Sequence, residues 1–94
     1  MPQNRVEMIR VRLQQALRPE SLKIIDESAK HAGHVGAQSG GGHFIVRIVS
    51  QMFEGKAQIQ RHRLVYDAIG DAMHTEIHAL SITAKTPAEA SVNL

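Results

Sequence analysis

Cysteine is absent from this 94-residue chain. Disulfides are therefore excluded, and so is any redox or metal chemistry in which the chain itself supplies a thiolate. Tryptophan is absent too, and the only aromatic rings are Phe44, Phe53 and Tyr66. That scarcity argues against a nucleic-acid binder that works by stacking bases on rings. No apolar run approaches the ~20 residues of a membrane span. The N-terminus shows no basic-then-apolar leader pattern, so the expectation is a cytoplasmic protein with no membrane partner. Charge of one sign is also lacking. Eleven basic residues against nine acidic ones leave a net +2, so any basic surface has to be local. What the chain has in quantity is histidine, six residues of it, the one oddity of its composition.

The length allows one domain, 1–94, with 1–3 and 91–94 read as frayed ends. In "NRVEMIRVRLQQAL", Val6, Ile9, Leu13, Ala16 and Leu17 fall at helical spacing behind an Asn4–Glu7 capping pair. Pro19 ends that helix. "SLKIIDES" reads as a strand, and the five glycines between Gly33 and Gly42 mark a long loop. "HFIVRIVS" is a second strand, with Phe44, Val46 and Ile48 on one side and His43, Ile45, Arg47 and Val49 on the other. Gly55 marks a turn. From Ile59, the residues Leu64, Val65, Ala68, Ile69, Ala72 and Met73 form the apolar face of a second long helix. "EIHALSITAK" is a third strand with the inward set His78, Leu80, Ile82 and Ala84. Thr86, Pro87 and Glu89 supply the cap, first residue and capping-box partner of a brief last helix. The order is αββ(α)αβα, an α+β domain with a three-stranded mixed sheet.

Consecutive strands pair antiparallel across the glycine-rich loop, whereas a strand reached through a helical crossover lies parallel. The end of the first strand and the starts of the other two therefore share one rim. Sequence order alone brings His31, His34, His43 and His78 there.

Taken by themselves, these groups keep ordinary readings. His78 alone reads as a core-edge histidine, and His31-x-x-His34 alone is a weak metal signal. Arg61-His62-Arg63 is either a solvated face or, with Lys56, a docking patch for a phosphate or an acidic surface. Gly55-Lys56-Ala57-Gln58 occupies the place of a G-x-x-G nucleic-acid clamp but lacks the second glycine. Asp26 and Glu27 are adjacent and point apart on a strand. No nucleophile–base pair emerges, and the chain reads as a non-enzyme.

The run "HFIVRIVS…FEGKAQIQRHRLVYDAI…IHALSI…TPAE", with the earlier "DES" and a histidine behind it, resembles the BolA family. The most specific parts are the F-x-G turn at Phe53 and Gly55, the "RHR" of Arg61–Arg63, and the "HAL" of His78–Leu80. The resemblance implies a class II KH-like fold with helices on one face of the sheet. It implies a monothiol glutaredoxin as partner and a shared 2Fe–2S cluster, with the glutaredoxin cysteine and a glutathione thiolate on one side. His78 and His31 would hold the other side, His34 standing as a substitute. Two imidazoles on one iron would be a Rieske-like set. The isolated protein is expected to be a monomer without the cluster, forming a heterodimer with glutaredoxin. The family also allows a DNA-binding transcriptional regulator working through Lys56, Arg61, His62 and Arg63, with weak affinity. A mononuclear zinc site made of rim histidines is a third reading.

Overall fold

The structure is a computed structural model and describes residues 5–27, 42–75 and 77–92. Met8, Ile9, Leu13 and Leu17 are the buried stripe of α1 (Arg5–Leu17), a spacing that puts all four on one side of a helix. Asn4, the expected cap, lies outside the described residues. The helix ends at Arg18, whose φ of 45° turns the chain ahead of Pro19.

Strand β1 (Ser21–Asp26) pairs antiparallel with β2 (Gly42–Val49). β2 in turn pairs parallel with β3 (Ile77–Lys85), giving the order β1-β2-β3. In β2 burial alternates as expected: Phe44, Val46 and Ile48 are buried, while His43, Ile45 and Val49 are half-buried and Arg47 is exposed. The buried set meets Leu13 and Leu17 of α1 and Val65 and Ile69 of α2 (Gln58–Ile69) in one core. The helices thus cover one face of the sheet, as the resemblance implies, and the sheet is the mixed, three-stranded one of an α+β domain expected from connectivity.

Between β2 and α2 the chain makes a single 3-10 turn, Gln51–Phe53, which drives the Phe53 ring into the core. Ser50 organises this corner. Its hydroxyl donates to the Leu17 carbonyl at 2.6 Å and accepts from the Met52 amide at 3.1 Å. Its own amide donates to the Lys85 carbonyl.

Three details depart from the sequence reading. Ile59, placed at the head of the apolar face, is 69% exposed, because the inward face of α2 begins at Arg61. The second helix does not run to Met73. It stops at Gly70, whose φ of 71° and ψ of −137° are open to glycine and whose amide closes on the Tyr66 carbonyl. A separate α3 (Ala72–Thr75) follows and keeps Ala72 in the core. Third, Ser91 and Val92, expected to fray, belong to α4 (Pro87–Val92). That helix opens with the anticipated box: the Thr86 amide donates to Glu89 Oε1 at 2.9 Å and the Glu89 amide to Thr86 Oγ1 at 3.2 Å.

Candidate functional site

The shared rim expected from connectivity is present in the backbone. Asp26 stands opposite Phe44, and Gly42 opposite Ile77. The Glu27 amide donates to the His43 carbonyl at 2.8 Å, so β1 and β2 are joined to their last residues at this end. His43 is the second residue of β2 and is half-buried, and His78 is the second residue of β3. His31 and His34 lie outside the described residues.

The register contains a feature that alternation does not predict. Gly42 pairs with Ile77 and His43 with Ala79, so β3 holds one residue more than β2 at this point. That extra residue is His78. Such bulges locally break the ladder and are common beside functional sites, where they re-aim a side chain. The break also alters the inward set. Leu80 and Ile82 pack against the core and Ala84 is buried, but at the rim it is Ile77 that is buried. Ile77 and Leu80 are three residues apart, which regular alternation would put on opposite faces. Parity counted back from Leu80 therefore does not fix the side taken by His78, and its place in the inward set with Leu80, Ile82 and Ala84 loses its premise.

The second constellation, at the start of α2, divides. Arg63 and Lys56 are exposed and His62 is half-buried. Arg61 is not an outward contact: it is 6% exposed and fully engaged. Its Nε donates to the Lys56 carbonyl at 2.9 Å and its Nη1 to the Ala84 carbonyl at 3.2 Å. The guanidinium also forms a two-pronged pair with Glu89, at 2.6 and 3.2 Å. Arg61 bonded in this way holds the Glu89 carboxyl at about 2, below its ordinary 4.5, with the Thr86 amide adding to the effect. Arg61 therefore fastens α2 to the end of β3 and to α4, and leaves the contact set to Lys56, His62 and Arg63.

A groove of about 580 Å³ beside β3 is lined by Gln58 and His62 of α2, Ile82–Lys85 and Glu89. Among the described residues no three His, Asp or Glu side chains are gathered for a metal ion, and no helix is long and apolar enough to cross a membrane.

Residues 13–89 match the family model described as BolA-like protein. The chain is 47% identical over 81 residues to BolA-like protein 1 of Mus musculus, spanning 86% of this chain and 57% of that protein. It is 46% identical over 86 residues to SufE-like protein 1, chloroplastic/mitochondrial, of Arabidopsis thaliana, spanning 86% of this chain and 23% of that one. It thus covers less than a quarter of one of these curated relatives and just over half of the other. Against the solved BolA domain of SufE1 from Arabidopsis thaliana the TM-score is 0.80 at 46% identity, covering 95% of this chain and 99% of that one. A more distant relative, the DNA-binding transcriptional regulator BolA of Escherichia coli, is 35% identical over 80 residues, 85% of this chain and 73% of that protein.

Proposed function

The chain belongs to the BolA-like family, and from that premise we propose that it is a non-enzymatic, cytoplasmic adaptor that holds a 2Fe–2S cluster jointly with a monothiol glutaredoxin. The observation that carries the reading is the β-bulge that singles out His78 at the rim where all three strands meet. The donor chemistry agrees with a shared site. A chain without cysteine offers imidazole nitrogen, and such a cluster takes four ligands for its two irons, so the thiolates come from the partner and from glutathione. His78 is the ligand from β3 in this reading. His31 is the second ligand, with His34 able to replace it. The chain's own part is to present neutral imidazoles and to cover one side of the cluster.

Co-expression with a monothiol glutaredoxin tests the proposal. The expected product is a one-to-one complex whose visible absorption differs from that of the glutaredoxin alone, while the isolated protein is colourless. His78→Ala should remove the difference and leave the far-ultraviolet circular dichroism unchanged. His31→Ala should weaken the cluster more than His34→Ala, and the double variant should lose it. Separate elution of the two proteins with an unchanged spectrum refutes the reading.

A second reading, a DNA-binding regulator, is favoured by the named activity of the Escherichia coli relative and by the outward position of Lys56 and Arg63. Arg61, bound to Glu89, does not take part in it.

A further inference from the structure

The chain's net charge is small, so the place where cations gather matters. Among the described residues, one such place is the face of the sheet turned away from the core. The core takes Phe44, Val46 and Ile48, which turns Ile45, Arg47 and Val49 to the other side. The register then sets Lys23 directly opposite Arg47 across β1 and β2. On the other side of Arg47 stands Thr83, and Lys85 is opposite Val49, one step along the same face of β3. Three cations thus share one face, Lys23 and Arg47 side by side and Lys85 two residues beyond Thr83. The described strand residues facing this side include no carboxylate. Glu89, the acid nearest Lys85 in sequence, has both oxygens on Arg61.

Like charges directly opposite on adjacent strands destabilise a sheet. An anion seated beside Arg47 offsets that repulsion. The surface there is shaped as well as charged: Arg47, Thr83 and Lys85, with Ile48, Val49 and Ala90 of α4, line a depression of about 190 Å³. That is small beside the ~300–1,000 Å³ of ordinary ligand pockets, and suits a single tetrahedral oxyanion. A guanidinium fork, an ammonium and a hydroxyl are the donors a phosphoryl group takes.

We propose that Arg47, Thr83 and Lys85, backed by Lys23, form a phosphate-binding site on the open face of the sheet, distinct from the histidine rim and independent of the cluster reading. It takes free phosphate or the phosphoryl group of a small phosphomonoester.

The test uses the full chain, titrated with inorganic phosphate at constant ionic strength in chloride and followed by amide chemical shifts. Saturable shifts should centre on Arg47, Thr83 and Lys85. Arg47→Gln should weaken the apparent affinity about tenfold, equivalent to about 1.4 kcal/mol. Lys85→Gln should weaken it less, and Arg10→Gln, on α1 beside Glu7, should leave it unchanged. Competition by glycerol phosphate would assign the site to a phosphoryl group on a carrier, and its failure would assign it to the free ion. Shifts that do not saturate, that chloride reproduces, or that survive Arg47→Gln unchanged would overturn the proposal. So would binding of duplex DNA through Arg47 with no saturable response to phosphate.

Discussion

Arg61 stands four residues before Val65 and eight before Ile69, and both of those are buried in the core. That spacing turns its guanidinium inward over the end of β3. The same helical period was legible in the sequence, but the charge cluster "RHR" invites reading as one unit. Two residues further on, Arg63 points to solvent, as a shift of about 200° around a helix requires. Glu89 was legible as a capping partner and not as the counter-ion of Arg61, because nothing local links α2 to α4. Arg61→Met should therefore lower unfolding stability by about 1–3 kcal/mol, since the buried Ala84 carbonyl and the Lys56 carbonyl lose their donor. Arg63→Met should change it by less than about 0.5 kcal/mol. Denaturant midpoints would check both. The pair also has a pH signature. Glu89 titrates at about 2 instead of 4.5, so its contribution is complete above the ordinary value and fades as pH falls from there toward 2. The stability difference between wild type and Glu89→Gln should stay level from neutrality into mild acid and then shrink; a difference that grows in acid would contradict the pairing.

At the scale of elements, most boundaries follow from period and punctuation. The alternation of β2, the stop at Pro19 and the Thr86–Glu89 box all appear where the sequence puts them. Gly70 is the exception. The apolar pattern continues through Ala72 and Met73, which makes one long helix seem sufficient, yet glycine at a C-terminal boundary is the commoner meaning. The backbone there has positive φ with ψ near −137°, a region other residues reach only with strain. Gly70→Ala should accordingly destabilise by about 1–3 kcal/mol. The loss comes from the backbone and not from crowding, because an added methyl would find its nearest neighbours at 3.9 Å and 4.0 Å. Thermal unfolding of the variant measures it, and an unchanged midpoint would show that the break between α2 and α3 tolerates an L side chain. The bulge at His78 was not legible at all. Nothing in "EIHALS" distinguishes a regular strand from one carrying an extra residue; only the pairing with β2 does.

For the molecule as a whole, connectivity rules carried the reading: one hairpin and one crossover suffice to fix a mixed sheet with its histidine-bearing rim. The distribution of charge could not be read that way, since it depends on which face each strand residue takes and on which cations are already paired. With Arg61 withdrawn, the start of α2 retains Lys56 and Arg63 as full charges. If that surface meets DNA, two phosphate contacts give a log–log salt slope of about −1.8. A slope near −2.7 would mean that a third cation takes part, and no salt dependence would remove this surface from consideration.

The Ser50 corner gives the sheet two unlike poles. At one, a single buried hydroxyl joins the last turn of α1 to the chain leaving β2, and the neighbouring amide reaches across to the last residue of β3. At the other, the ladder between β2 and β3 is interrupted at His78. Local opening follows the weakest bonding, so amide protons near Val49 and Lys85 should be the last to exchange with solvent. Those toward the rim should be earlier. A strand pinned at one end and interrupted at the other acts as a reed held in its socket: the rim is the end expected to yield first, while the root keeps the core in register.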